Sequence, residues 1–377
     1  MSSSTHVSPV ALLLSEHIAG VPTHWASLAV RHLAASTLAI IVTGCPGRAP
    51  PGADAAAYDA SDLTDLGPSV LDGDAGPSCV RGPLPDVWLR DPPPLPSYSR
   101  GVCPVLRGGP SRSVSRNDGF ATGTQSRAFY LLVPSWYAPD RAMPMVLAWH
   151  WLAGDATQMI AEAQLEAAVE QLGFIAVVPE ALRDADSGMF TYAFDWPFAE
   201  APGQEPELQF FDDLLACVTS QYNVDRRRIH AFGVSAGALW LTFLTTTPRV
   251  DHLASTVTVS GGLGQQRNVL ALRYVPQDNK FPAIVLWGGP QDRFLIDFER
   301  ASTLYRDELR CDHHFVIQCV HDAGHAVPAI DMPDGGTRFG GFWQFLFDHP
   351  YGLGPDQSPY LDGGLPGTLP TWCSTVP

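Results

Sequence analysis

The stretch that decides the fold is Ile229-His230-Ala231-Phe232-Gly233-Val234-Ser235-Ala236-Gly237-Ala238-Leu239-Trp240. An apolar run typical of a buried strand leads directly into Gly-Val-Ser-Ala-Gly, and an apolar helical pattern follows it. So sharp a strand-to-helix turn forces the serine into a strained backbone conformation, which only small neighbouring residues tolerate. The two glycines and Ala236 meet that requirement. The segment therefore predicts that the Ser235 hydroxyl projects above a sheet, at the N-terminus of a helix.

Short apolar runs alternate with longer amphipathic segments on both sides of this turn. Several runs are nearly continuous Val, Ile and Leu, as expected where helices cover both faces of a parallel sheet. The alternation predicts an α/β fold with a doubly wound, mainly parallel sheet. The predicted strands are 127–133, 145–150, 174–178, 228–233, 254–260, 283–288 and 315–320, and the predicted helices are 157–172, 207–222, 236–246, 293–309 and 339–348.

An aspartate stands where a catalytic carboxylate would be expected. A serine nucleophile needs a base, and the base needs a carboxylate that orients it. Asp292 lies in the loop Gly289-Pro290-Gln291-Asp292 that follows the predicted strand 283–288, at the edge of the sheet where the serine also lies. Asp297 and Asp307 are alternatives, but both fall within the next predicted helix, where solvation or capping explains them.

Two histidines follow the last predicted strand, 315–320. His325 lies between Gly324 and Ala326, and we favour it as the base because its neighbours are small. His321 is the alternative, because it lies closer to the end of the strand. In either case the order along the chain is serine, aspartate, histidine.

Two backbone N–H groups are expected to stabilise a negatively charged oxygen near Ser235. The Ala236 N–H begins the helix after the serine and is well placed for this task. The second donor is expected from the loop after the strand 145–150, which reads His150-Trp151-Leu152-Ala153-Gly154-Asp155.

Composition restricts the classes of partner. The chain has 377 residues, of which 45% are hydrophobic and 16% are charged, so it can bury a sizeable core. Its formal net charge of −16 argues against nucleic acid or an anionic membrane surface as partner. The chain lacks the run of about 20 apolar residues that an ordinary membrane span requires.

The N-terminal region carries a shorter apolar segment. Arg31-His32 precede the run 33–42, which is about the length of the apolar part of a secretory signal, and Cys45 follows. The tetrapeptide Val-Thr-Gly-Cys resembles the bacterial lipobox, whose cysteine is lipidated and becomes the new N-terminus. A plain secretory signal and a buried strand are the alternatives. Translation starting at Val30 would explain why the apolar run begins so late.

The remaining chain divides into a tether and a folded domain. We expect residues 1–45 to be the signal segment, 46–95 a disordered tether rich in Pro, Gly and Ala, and 96–377 the catalytic domain. If Cys45 is lipidated, an even number of cysteines remains, which suggests disulfides in an exported protein. They are Cys79, Cys103, Cys217, Cys311, Cys319 and Cys373, and none forms the Cys-x-x-Cys pair typical of zinc sites.

Taken together, the motifs resemble the polyhydroxybutyrate-depolymerase and feruloyl-esterase group of secreted α/β-hydrolases, which includes lipoproteins. The resemblance spans roughly residues 100 to 350. It rests on the opening Cys103 and the first strand 127–134, on His150, which matches the His of the group's His-Gly oxyanion loop, on the approach Tyr222-Asn223-Val224-Asp225-Arg226 to the nucleophile, and on Gly324-His325 followed by Pro328.

The resemblance implies the α/β-hydrolase fold and a set of site residues. Ser235, Asp292 and His325 would form the catalytic triad, with Ala236 and Leu152 as oxyanion donors. This chain departs from the group at Trp151, where the group has glycine. Because of this departure, the role of Leu152 as an oxyanion donor depends on the conformation of its loop. The Trp151 side chain would also be available to line the acyl pocket.

Aromatic residues recur in the segment 192–198, between the third predicted strand and the helix that precedes the nucleophile strand. Such a segment could overhang the site, with Trp196 stacking on a sugar or phenolic ring. A small satellite core beneath a long loop is the alternative. On the first reading, His150, Trp151 and Trp196 would contact the substrate.

The resulting expectation is a secreted serine esterase that hydrolyses carboxylic esters through an acyl-enzyme. Its substrates would be polymer- or carbohydrate-linked acyl, feruloyl or hydroxyalkanoate esters, and it would need neither a metal nor an organic cofactor. We expect a monomer without a nucleic-acid partner, reaching the membrane only through the lipid anchor. A serine peptidase of the same fold and a non-catalytic surface binder are the alternatives.

Overall fold

The strands surround the serine turn in one large mixed sheet. The computed structural model describes residues 89–183, 191–192, 194–199, 201–266, 269–328, 330, 336–354 and 356–376. The predicted signal segment, Cys45, Cys79 and residues 46–88 of the predicted tether lie outside the described residues. Residues 89–95, the last of that predicted tether, adopt neither helix nor strand, and the Arg226 guanidinium donates a hydrogen bond to the Pro93 carbonyl.

Nine strands of the described residues form this sheet, in the order β1-β2-β4-β3-β5-β6-β9-β12-β13. Strands β3 to β6, β9 and β12 run parallel, whereas β1, β2 and β13 are antiparallel to their neighbours. The strands are β1 Arg116–Thr122, β2 Gln125–Leu132, β3 Met143–Trp149, β4 Ile175–Pro179, β5 Val224–Val234, β6 Ser255–Val259, β9 Ala283–Trp287, β12 Val316–Val320 and β13 Cys373–Thr375. All seven predicted strands are present, and the predicted α/β fold with a mainly parallel sheet is confirmed.

Two short hairpins accompany the sheet. One pairs β7 Gly264–Gln266 with β8 Leu270–Leu272. The other pairs β10 Arg293–Phe294 with β11 Ile296–Asp297, and it occupies residues that the sequence predicted as the start of a helix. That part of the prediction is wrong, because Leu295 takes a left-handed φ of 60° and turns the chain back on itself.

Helices pack on both faces of the sheet. They are α1 Ala156–Glu162, α2 Leu165–Leu172, α3 Ala201–Gln221, α4 Ala236–Thr245, α5 Phe298–Cys311, α6 Gly340–Asp348 and the short α7 Tyr360–Gly363. The predicted helix 157–172 is two helices, because Gln164 has a φ of 50° and breaks the hydrogen-bond ladder. Helix α4 is apolar and buried around nearly its whole circumference, as expected of a helix enclosed by the fold.

Disulfides join distant parts of the chain. Cys103 pairs with Cys217 of α3, and Cys319 of β12 pairs with Cys373 of the neighbouring β13. Cys311 is also disulfide-bonded. No helix in the described part of the chain combines the length and apolar character required to cross a membrane.

A buried ion pair fixes α3 to the sheet. The two terminal nitrogens of Arg127 on β2 donate to the two carboxylate oxygens of Glu207 on α3, at 2.5 and 2.9 Å. Neither side chain has more than 1% of its surface exposed. Arg127 also donates to the Glu180 carbonyl oxygen at 3.1 Å, just beyond the end of β4. The pair therefore connects the helix to two neighbouring strands.

Removing one partner of this pair should be far more harmful than removing both. Arg127→Met leaves the Glu207 charge buried without its partner, which should lower the free energy of unfolding by about 3–5 kcal/mol. The double variant Arg127→Met, Glu207→Leu should recover most of that loss, because no uncompensated charge remains. Urea unfolding of the two variants and the parent tests this. Equal losses in the single and double variants would contradict it.

Candidate active site

Ser235 occupies the sharp turn between β5 and α4, with φ 54° and ψ −116°. Its own N–H donates to the Val259 carbonyl at 2.8 Å, which ties the turn to β6. A Cβ added at Gly237 would lie only 2.5 Å from the carbonyl oxygens of Trp149 and His150. Glycine at position 237 therefore lets α4 begin directly against the end of β3, which explains the Gly-x-Ser-x-Gly pattern in this chain.

The structure brings Ser235, His325 and Asp292 into one hydrogen-bonded chain. The Ser235 Oγ lies 3.0 Å from His325 Nε2, and the His325 Nδ1 lies 2.6 Å from Asp292 Oδ1. A carboxylate accepts only, so Nδ1 carries the proton and Nε2 is free to accept the serine proton. This is the arrangement that a serine nucleophile, a base and an orienting carboxylate require.

Asp292 is held from its other side. Its Oδ2 accepts a hydrogen bond from the Ser260 hydroxyl at 2.8 Å and another from the Gly288 N–H at 2.7 Å. The carboxyl group is fully buried. These two donors fix the carboxylate and leave Oδ1 directed at the imidazole.

The histidine loop packs directly on the aspartate loop. A Cβ at Gly288 would overlap the Gly324 carbonyl, so the two loops approach at backbone distance. The His325 imidazole stacks nearly parallel on the Phe298 ring, with centroids 4.5 Å apart. Backbone contact and ring stacking together set the position of the His325 imidazole.

The alternative residues lie elsewhere. His321 Nδ1 accepts the Ala323 N–H at 3.1 Å, and its ring packs against Trp372. Asp297 caps α5 by accepting the Arg300 N–H at 3.0 Å, and Asp307 pairs with a neighbouring arginine within that helix. In the described part of the chain, these three side chains thus bond to groups other than Ser235.

The loop after β3 lies beside the serine turn, because Trp149 pairs with Gly233 in the register of β3 and β5. Trp151 does not adopt the left-handed conformation that favours glycine; Ala153 does, with a φ of 57°. The Trp151 side chain, 7% exposed, instead folds back against Gly154. Leu152 is half-buried. The oxyanion roles of Leu152 and Ala236 stay predictions.

His150 and Trp196 have their side chains in the interior, at 0% and 1% exposure. The His150 Nδ1–H donates to the Trp151 carbonyl at 2.8 Å, and its Nε2 accepts the Ala181 N–H at 3.3 Å. The Trp196 Nε1–H donates to the His150 carbonyl at 2.9 Å. The two side chains therefore hold backbone in place, and their own surfaces face protein.

The sequence interpretation missed three residues around the site: Ser260, Phe298 and Asp195. Ser260 and Phe298 contact the aspartate and the histidine, as described above. Asp195 accepts the Ala153 N–H at 2.6 Å in the loop after β3. Each acts on a partner more than 25 positions away, so local pattern gives no signal for it. In the described residues no group of three His, Cys, Asp or Glu side chains is arranged to hold a metal ion.

Solved structures share this fold at low sequence identity. Native sOPH is 15% identical with a TM-score of 0.56, and the match covers 74% of this chain and 96% of sOPH. A complex of a pOPH variant with pNPB is 14% identical with a TM-score of 0.55, covering 70% of this chain and 93% of that one. S-formylglutathione hydrolase from Agrobacterium tumefaciens is 16% identical with a TM-score of 0.45, covering 56% of this chain and 87% of that one.

The likeness at such identity is one of fold. The chain has the α/β-hydrolase fold, as predicted. No protein-family model matches the sequence, and no curated protein sequence matches it.

The burial of His150 has a consequence for pH. Burial lowers the pKa of its imidazole to about 4, although its hydrogen bond to the Trp151 carbonyl acts in the opposite direction. The unfolded chain binds a proton at this histidine near pH 6.5, whereas the folded chain resists protonation until about pH 4. Unfolding thus takes up a proton between these values, so the contribution of His150 to stability is complete above pH 6.5 and is lost as the pH falls.

We expect the His150 ring resonances in NMR to titrate near pH 4. Between pH 6.5 and 4, this one group should lower the free energy of unfolding by up to about 3 kcal/mol. Urea unfolding of the parent at pH 7 and pH 4.5 measures the total change, and the ring titration assigns the share of His150. A ring pKa near 6.5 in the folded protein would contradict the assignment.

Proposed function

We propose that this protein is a serine esterase that hydrolyses carboxylic esters through an acyl-enzyme at Ser235. The observation that carries the proposal is the continuous hydrogen-bonded chain from the Ser235 hydroxyl through His325 to the buried Asp292. These three residues lie at the edge of the sheet formed by the carboxyl ends of its parallel strands, where open α/β sheets bind their ligands.

In the proposed first half-reaction, Ser235 Oγ attacks the ester carbonyl while His325 Nε2 takes the hydroxyl proton. The imidazolium that forms is stabilised by Asp292, which stays ionised and also fixes the tautomer. The carbonyl oxygen becomes negatively charged, and backbone N–H groups at Ala236 and Leu152 are the proposed donors to it. His325 then gives its proton to the leaving alcohol, and the acyl group remains on Ser235.

In the second half-reaction a water molecule attacks the acyl-enzyme. His325 takes the proton from this water, and the same oxyanion donors stabilise the new tetrahedral intermediate. Collapse of the intermediate returns the proton to Ser235 Oγ and releases the carboxylic acid. The cycle balances with ester and water as reactants, and it passes only through groups of this chain.

An ester is the substrate class that the fold neighbours favour. The pOPH variant, whose fold this chain shares, was solved in a complex with pNPB. We propose acyl, feruloyl or hydroxyalkanoate esters linked to a polymer or a carbohydrate as the natural substrates. A panel of short-chain, feruloyl, polyester and peptide substrates separates this proposal from the serine peptidase alternative.

We further propose that the enzyme works outside the cytoplasm. Disulfides persist in oxidising compartments, and Cys103–Cys217 and Cys319–Cys373 are consistent with such a location. Cleavage of the signal and lipidation of Cys45 would anchor the enzyme at the cell envelope, and intact mass of the native protein distinguishes that form from a plainly secreted one.

Ser235→Ala should lower turnover of p-nitrophenyl acetate by about 10⁴- to 10⁶-fold, the scale of loss when a triad nucleophile is removed. It should also abolish covalent labelling by a fluorophosphonate probe. Ser113→Ala is the matched control, because Ser113 is exposed and hydrogen-bonds only locally, to Ser111. Full turnover in Ser235→Ala would refute the proposal, and an unlabelled parent protein would favour the non-catalytic binder.

A further inference from the structure

The loop that follows β3, residues 150–154, is held at two points by one short segment. We call residues 150–154 the β3 loop. At its far end, the Ala153 N–H donates to the Asp195 carboxylate at 2.6 Å. At its near end, the His150 carbonyl accepts the Trp196 Nε1–H at 2.9 Å. Asp195 and Trp196, which are consecutive in the sequence, therefore hold the β3 loop on either side of Trp151 and Leu152.

Both ends of the first contact are strained. Ala153 has a φ of 57° and Asp195 a φ of 65°, so two non-glycine residues take the left-handed conformation and face each other across one hydrogen bond. Such conformations persist only where the surroundings determine them, and they concentrate at functional sites. Aspartate and asparagine tolerate this region better than most residues, because their short side chains bond locally.

The second contact is equally enclosed. The Trp196 ring is 1% exposed and lies 4.8 Å from the His150 ring, centroid to centroid. The His150 carbonyl that Trp196 contacts is the same carbonyl that would meet a side chain at position 237. Trp196 and Gly237 thus converge on one peptide group, from the loop and from the serine turn respectively.

Asp195 is kept in the interior at a cost. It is only 1% exposed, and burial raises the pKa of its carboxyl to about 8 against the opposing effects of the Ala153 N–H and of Arg183. Burying a carboxyl group is energetically unfavourable, since burial disfavours its charged form. Its position against a backbone N–H of the β3 loop gives a reason for its presence.

From these contacts we propose that Asp195 and Trp196 are positioning residues, which hold the β3 loop in the conformation that directs a backbone N–H at the carbonyl oxygen of an ester bound at Ser235. This inference rests on the proposed esterase function. In this chain the loop carries Trp151 and places its left-handed residue at Ala153, and the Asp195-Trp196 pair fixes that arrangement from outside the loop.

The physical reason is preorganisation. An oxyanion donor stabilises the transition state only when it already points to the place where charge develops, and loss of one donor lowers kcat by about 10²- to 10³-fold. A loop released at Ala153 relaxes its strained φ and turns its N–H groups away. Ground-state binding of the ester depends little on these donors, so loss of a donor lowers kcat and leaves KM nearly unchanged.

A pair of substitutions at position 195 isolates the hydrogen bond. Asp195→Asn keeps an oxygen acceptor and the tolerance of positive φ, and it replaces the ionisable carboxyl group with a neutral amide. Asp195→Gly permits the same φ but removes the acceptor. We expect kcat for p-nitrophenyl acetate to stay within about threefold of the parent in Asp195→Asn and to fall by about 10²-fold in Asp195→Gly, with KM within about threefold in both.

Two further measurements separate positioning from a loss of fold. A trifluoromethyl ketone forms a tetrahedral adduct with a serine nucleophile, so its affinity should fall by the same factor as kcat in Asp195→Gly. Trp196→Phe keeps the ring and removes the N–H donor, and we expect its kcat and ketone affinity to fall together by about tenfold. This variant keeps the inference testable if Asp195→Gly fails to fold.

Asp213→Asn is the control for a merely structural buried carboxyl. Asp213 is fully buried, and its oxygens accept the Ser99 N–H at 2.7 Å and the Thr122 hydroxyl at 2.5 Å, away from the β3 loop. Its substitution should lower the Tm and leave kcat and ketone affinity unchanged.

Three outcomes overturn the inference: an unchanged kcat in Asp195→Gly, a rise in KM in place of a fall in kcat, or an equal loss of kcat in Asp195→Asn and Asp195→Gly. These results are distinct from failure of the esterase function itself. If Ser235→Ala retains turnover, the proposed function falls. If Ser235→Ala abolishes turnover while Asp195→Gly does not lower kcat, the positioning role alone falls.

Discussion

The positive φ of Ser235 is the constraint on which the rest of the site depends. Its φ of 54° is strained for a residue with a side chain, and the energy that maintains it comes from the neighbouring main chain. The Ser235 N–H is held by β6, and Gly237 lies against the last carbonyls of β3. The position of Ser235 is therefore a property of three adjacent strands.

Positive φ angles in residues other than glycine recur around Ser235. Ser260, which donates to Asp292, has a φ of 53°, Ala153 in the β3 loop has a φ of 57°, and Asp195, which accepts the Ala153 N–H, has a φ of 65°. Conformations of this kind cost about 1–3 kcal/mol each, so they require a rigid support. The support is a parallel sheet in which every residue of strands β4, β6 and β9 is buried. The stability of the buried sheet offsets the cost of the strained conformations in the loops at its carboxyl edge.

Local pattern predicted most of this architecture, because parallel strands buried on both faces are continuous apolar runs and the serine turn has a fixed spacing of small residues. The strand bounds and the residues Ser235, Asp292 and His325 came from that reasoning. The edge strand β1 was missed, because its exposed polar residues lack an apolar run. The break at Gln164 was missed as well, because glutamine carries no turn signal.

Other features depend on contacts that no local pattern contains. Ser260 reaches Asp292 across 32 positions, and Asp195 reaches Ala153 across 42. The aromatic segment around Trp196 was expected either to meet a substrate or to form a satellite core. In the structure Trp196 is buried, and this state depends on a hydrogen bond to the carbonyl of a residue 46 positions earlier. Sequence reasoning names such residues only once the tertiary contact is known.

The disulfide between Cys319 and Cys373 has a mechanical consequence. It closes residues 319–373 into a covalent ring, and His325 and α6 lie within that ring. A force applied at the C-terminal end of the chain passes through the bridge into β12 at Cys319 and from there into the middle of the sheet. The loop that carries His325 bears none of this tension, so cargo or tags that pull on the C-terminus leave the position of His325 unchanged.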